Sequence, residues 1–260
     1  RLTWPADPAG CDRLYWCAMP VVYACICPPA LPDDGALTRE ALDRVAAELR
    51  MYEPDAAVLI ARQGAVLPRA IQVATGDAER WAAIVARLKD EVGREAIPFN
   101  LAISRSSVLG APFVDALGDA DALSIGVSSL SPREHLDFGR ALGRALAGDE
   151  WRTALVCTAT LAGTADARLA RLFDRQYRRA IDEWDVKWLT NVDATFRRSA
   201  AEDAVAQTAV LMGALSAYRI QPRVLSYERP DGAGCLVAAI DVLGSRRERQ
   251  AAREASVRRR

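Results

Sequence analysis

The side chains best suited to chemistry in this sequence are one histidine and six cysteines. His135 is the one imidazole among 260 residues, so a mechanism that needs two histidines from this chain is excluded. A Ser-His-Asp triad would have to use His135, and the sequence has neither a G-x-S-x-G elbow nor a glycine-rich phosphate loop. The cysteines form no C-x-x-C pair and stand at positions 11, 17, 25, 27, 157 and 235. We expect them to be reduced and mostly buried, as is typical of a cytoplasmic protein.

The helix that carries His135 has a clear start signal. Ser131, Pro132 and Glu134 predict a capping box at the beginning of a helix over 131–146. His135 then lies in the first turn, where a surface or packing role is expected rather than a catalytic one.

Apolar runs alternate with helical patterns along the rest of the chain. The runs "VVYACIC", "AAVLIA" and "WRTALVCTATLAG" predict buried strands, and residues 38–52, 76–93 and 165–217 have the apolar spacing of helices. A Pro-Asp-Gly turn at 230–232 predicts a closing hairpin over 222–241. Strands that alternate with helices indicate an α/β fold, a single domain with a central mixed β-sheet flanked by helices.

We predict that one domain covers residues 19–243. The stretch 1–18 shows no periodicity, so we interpret it as an N-terminal extension, with Met19 as the natural start. Residues 244–260 are predicted to be a basic, disordered tail.

The charge distribution argues against nucleic acid as a partner. Lys+Arg and Asp+Glu both number 34, but residues 246–260 hold seven arginines and two glutamates, a net charge of +5, so the remainder is about −5. The tail is expected to be solvated, with contact to acidic partners as the alternative. No apolar run reaches the roughly 18 residues that a membrane span needs, so no membrane partner is expected.

Several segments, taken in order, resemble one enzyme family. They are "VVYACICPPALPDD", "AELRMYEPDAAVLIARQG", "SSLSPREHLDFGRALGRAL", "ALVCTATLAG" and "VLSYERPDGAGCLVAAI". Together they resemble the class III extradiol ring-cleavage dioxygenases of the protocatechuate 4,5-dioxygenase β-subunit type, over residues 20–241. The resemblance implies the α/β fold of that family.

The same resemblance implies a non-haem Fe(II) site that this chain has lost. The family binds Fe(II) with two histidines and a carboxylate, and a further histidine acts as acid and base. The two ligand histidines correspond here to Pro29 and Gln63, and the acid/base histidine corresponds to Ala162. The carboxylate corresponds loosely to Glu202 or Asp203. We therefore expect no metal, no cofactor and no catalytic residue.

These substitutions predict a non-catalytic homologue, either a pseudoenzyme or an accessory subunit. We expect a homo- or hetero-oligomer, with an active dioxygenase chain as one possible partner. Three alternatives stay open. The first is an enzyme with altered, metal-independent chemistry that uses Gln63 and Glu202. The second is a dioxygenase whose activity depends on a partner chain. The third is a small-molecule binding protein.

The stretch "SYERPDGAG" is the most specific part of the resemblance, together with "EPDAAVLIARQG". We expect this stretch to be a sheet-closing hairpin in which Gly232 and Gly234 serve the backbone geometry. Glu228 is expected to be a structural polar partner rather than a ligand. The small, polar loop 105–112 is a candidate lining of a remnant pocket.

Overall fold

The computed structural model describes residues 20–30, 32–62, 70–75, 79–103, 117 and 121–245. The strands are β1 (Val21–Cys27), β2 (Ala56–Ala61), β3 (Ile71–Thr75), β4 (Phe99–Ile103), β5 (Asp121–Gly126), β6 (Thr153–Thr158), β7 (Tyr218–Glu228) and β8 (Cys235–Ser245). The helices are α1 (Ala36–Tyr52), α2 (Ala82–Glu95), α3 (Pro132–Leu146), α4 (Ala167–Asp182), α5 (Val186–Asn191), α6 (Ala194–Ala200) and α7 (Val205–Ala214). Gln63, the extension 1–18 and the loop 105–112 lie outside the described residues.

The strands form one mixed sheet in the order β4-β3-β5-β2-β6-β1-β8-β7. Its centre is parallel, because β5, β2, β6 and β1 run in the same direction. Strands β3 and β8 pair antiparallel to this centre, and β7 pairs antiparallel to β8. The predicted α/β fold, a single domain with a central mixed sheet flanked by helices, is confirmed.

Apolar residues cover both faces of the sheet, as expected for buried parallel strands. All seven residues of β1 are buried. Helix α1 covers one face, where Val45 and Leu49 pack with Cys25 and Leu59 of the strands. The other six helices contribute to the core on the opposite face. None of the helices in the described ranges is long and apolar enough to cross a membrane.

Helices α3 and α7 approach each other at glycines. A Cβ on Gly213 would lie 2.2 Å from the carbonyl oxygen of Leu136, so no larger residue fits this crossing without displacement. All ten residues of α7 are buried. The predicted capping box at the start of α3 is present, since Ser131 Oγ accepts from the Glu134 amide at 3.2 Å and Glu134 Oε2 accepts from the Ser131 amide at 2.7 Å.

The closing hairpin is present and longer than predicted. Strand β7 begins at Tyr218, and β8 continues to Ser245, beyond the predicted domain end at 243, because these two residues pair with each other. A 3₁₀ turn, Pro230–Gly232, joins the strands, and Gly232 has a φ of +81°. Gly232 therefore serves the backbone geometry, as expected, and it does so through a positive φ.

Candidate functional site

The carboxyl ends of the four parallel strands lie along one edge of the sheet, and open α/β sheets bind their ligands at this edge. Two further segments reach the same edge. Ahead of α7, the Asp203 amide donates to the Thr160 carbonyl at 3.2 Å. At the tip of the β7–β8 hairpin, the Gly234 carbonyl accepts from the Leu161 amide at 2.9 Å. This edge is the candidate site.

Glu202 is at this edge but is fully engaged within the chain. Its side chain is 1% exposed and forms an ion pair with Arg197, with Nε 2.5 Å from Oε1. Its other oxygen, Oε2, accepts from the amides of Ala204 and Val205 at 2.7 and 2.8 Å. Glu202 therefore stabilises the positive end of α7, a role that its position before a helix favours.

Asp203 is the less engaged of the two candidate carboxylates, because among the described residues one hydrogen bond holds its side chain where three hold that of Glu202. It is half-buried, and its Oδ1 accepts from the Thr160 amide at 2.8 Å. Burial raises the pKa of Asp203, and the charge of Arg62 at the end of β2 acts in the opposite direction. Arg62 directly precedes Gln63, the position at which the resemblance implies a ligand.

His135 is buried, with 0% of its surface exposed, which agrees with the expected packing role and excludes the surface alternative. Its Nδ1 lies 2.9 Å from the Ser131 carbonyl, and its Nε2 accepts from the Ser128 amide at 3.3 Å. Burial lowers the pKa of His135 to about 4, and the charge of Arg197 adds to this effect. A neutral imidazole with both nitrogens bonded connects the loop after β5 to the first turn of α3.

The described positions do not fit the Fe(II) site that the resemblance implies. Pro29 is exposed at a bend after β1, and Ala162 is buried after β6, and neither side chain has a ligand atom. Among the described residues, no group of three or more His, Cys, Asp or Glu side chains could hold a metal ion. The donor set is therefore unlike two histidines and a carboxylate.

A second buried carboxylate, Asp174 of α4, joins the hairpin to the loop after β6. Its side chain is 1% exposed and forms an ion pair with Arg229. Asp174 Oδ1 accepts from the Ala162 amide at 2.9 Å, and Oδ2 accepts from the Tyr227 hydroxyl at 2.7 Å. Burial and this hydrogen bond raise the pKa of Tyr227 to about 12. A Cβ on Gly234 would lie 2.5 Å from Asp174 Oδ2, which explains a glycine at that position.

Glu228 has the structural role that its sequence context predicts. Its Oε2 accepts from the Thr38 amide at 2.7 Å, and its Oε1 accepts from the Leu37 amide at 3.3 Å. Helix α1 has Gly35 at its N-cap and no side-chain cap of its own. The amide of Thr38 lowers the pKa of Glu228. The hairpin residue thus caps a helix that lies about 190 positions earlier in the chain.

Sequence reasoning missed Arg197 and Asp174. A signal for Asp174 exists, since it falls between Ala170 and Tyr177 on the apolar stripe of α4, where a charged residue needs a buried partner. The sequence contains no comparable signal for Arg197, which is one of two adjacent arginines near the end of α6.

Comparison with known proteins adds a likeness of fold. No protein-family model matches the chain, and no curated protein matches it. The chain is similar to a solved structure described as the uncharacterized protein JW3007 from Escherichia coli K12, with a TM-score of 0.58 and 16% sequence identity. The match covers 85% of this chain and 99% of that chain. At this identity, the two proteins share an overall fold, and the likeness carries no information about activity.

Proposed function

We propose that this chain is a non-catalytic homologue of the class III extradiol ring-cleavage dioxygenases, acting as a pseudoenzyme or as an accessory subunit. The proposal rests on the resemblance of residues 20–241 and on the side chains at the carboxyl edge of the sheet. The observation that carries it is the engagement of Glu202 by Arg197 and by two amides of α7. A buried carboxylate whose charge is already neutralised in this way is not available as a metal ligand.

The nitrogen ligands support the same conclusion. Fe(II) in such enzymes depends on two imidazoles, and this chain has one. Both ring nitrogens of His135 are within hydrogen-bond distance of backbone groups, so neither is available as a ligand. The metal-free alternative is weakened too, since Glu202 is enclosed and has no oxygen free of protein contacts.

Within this proposal, the chain associates with itself or with an active dioxygenase chain, to which it supplies an interface. We assign it to the cytoplasm on the basis of its thiols. Cys25, Cys27 and Cys157 are free and buried thiols, which suits a reducing compartment.

The test is a metal analysis of the chain purified from cells grown with excess iron, together with oxygen uptake on catechols and aminophenols. We expect no stoichiometric iron and no substrate-dependent oxygen consumption. One equivalent of bound iron with oxygen consumption by the single chain would overturn the proposal.

The matched variant is the double substitution Pro29→His and Gln63→His. We expect it to bind more iron than the parent chain, with Asp203 as the carboxylate. Its turnover should remain poor, because an acid/base group contributes roughly 10²–10⁴-fold and Ala162 offers none. Iron uptake by the double variant shows that the assay can detect a site in this fold.

A further inference from the structure

Glu202 is a buried anion whose counter-charge comes from the protein itself. An ionised carboxylate with 1% exposure is costly unless a cation and hydrogen-bond donors compensate it. The amides of Ala204 and Val205 satisfy Oε2 and place the positive end of α7 against it. Oε1 is left for a cation, and Arg197 Nε fills that place at 2.5 Å.

The cation, the carboxylate and the amides all come from residues 197–205. The chain turns sharply between α6 and α7, where Ala201 adopts a left-handed conformation with a φ of +53°. The Glu202 amide also donates to the Arg197 carbonyl at 3.4 Å. The Arg197 side chain is 21% exposed, so it reaches Glu202 from the surface and could be removed without opening the core.

We propose that the guanidinium of Arg197 occupies a built cation site beside Glu202, and that a chain lacking this side chain binds an external guanidinium ion there. This inference stands on the contacts of Glu202 alone and does not need the family resemblance. It also predicts that the carboxylate cannot serve a metal while Arg197 is present.

The test is rescue of Arg197→Ala by guanidinium chloride at concentrations too low to denature, read as the melting temperature. Sodium chloride at equal ionic strength is the reference. We expect a saturable rise of roughly 2–4 °C in Tm, the effect of about 1 kcal/mol in a chain of this size. The parent chain and the double variant Arg197→Ala/Glu202→Gln should show no such rise.

Absence of a guanidinium-specific rise would overturn the proposal, as would an equal rise in the double variant. Stabilisation by Mn²⁺ in place of guanidinium would also overturn it, because the site would then prefer a divalent ion. If Arg197→Ala does not fold alone, refolding yield with and without guanidinium gives the same comparison. None of these outcomes depends on iron binding or oxygen uptake. Failure of the guanidinium rescue would therefore not contradict the proposed function, which the iron and oxygen assays test separately.

Discussion

Glu202 and Asp174 are each 1% exposed and each paired with one arginine, yet they connect different parts of the molecule. Among the described residues, the Glu202 side chain bonds within 197–205 and completes the turn between α6 and α7. Asp174 bonds to Ala162 and to hairpin residues up to 55 positions away. The first carboxylate therefore stabilises a local turn, and the second holds three elements together.

This difference predicts that loss of Asp174 has the larger effect on stability. Asp174→Ala leaves the Ala162 amide and the Tyr227 hydroxyl without their acceptor and Arg229 without its ion-pair partner, so we expect a loss of about 3–5 kcal/mol in the free energy of unfolding. Denaturant unfolding measures it. Asp182→Ala, an exposed site at the end of the same helix, is the control and should change little. The comparison fails if Glu202→Ala is as destabilising as Asp174→Ala.

The region around Glu202 has a pH dependence of its own through His135. The pKa of His135 is about 4 in the folded chain, compared with an ordinary value of 6.5, because burial and the charge of Arg197 disfavour the charged ring. A base with a lowered folded pKa takes up a proton on unfolding. The contribution of His135 to the free energy of unfolding is therefore complete above pH 6.5 and is lost as the pH falls towards 4. We expect a loss of about 3 kcal/mol across this window.

Urea unfolding of the parent and of His135→Gln at several pH values isolates this contribution from that of the carboxylates. The parent should lose stability more steeply between pH 6.5 and 4 than the variant does. Parallel profiles would show that His135 does not titrate in this window and that its buried, neutral state is wrongly assigned.

The smallest expected effect concerns the hairpin turn near Asp174. Gly232 has a φ of +81°, and no atom of the described residues lies within 4 Å of an added Cβ, so the expected cost of a side chain is conformational. Gly232→Val should lower the free energy of unfolding by roughly 1–2 kcal/mol. Gly232→Asn should lower it less, since asparagine tolerates this conformation. Thermal melts that leave Gly232→Val unchanged would refute the turn geometry.

Local patterns in the sequence determined the elements. The apolar runs predict the buried strands, and Ser131 with Glu134 predicts the start of α3. The Pro-Asp-Gly turn predicts the hairpin and a backbone role for Gly232. These features depend on residues a few positions apart, so they can be predicted without the tertiary structure. The count of one histidine also limits the chemistry of the chain, whatever its structure.

The pairing of the charged side chains was decided by the tertiary structure. Sequence reasoning could name Glu202 and Asp203 as candidates, but only the fold shows that Glu202 makes more hydrogen bonds than Asp203 does. It likewise buries His135 and brings Asp174 to Arg229, and Glu228 to the start of α1. The physical reason is that a buried charge must find its partners in space, and most of these partners are separated by dozens of residues along the chain.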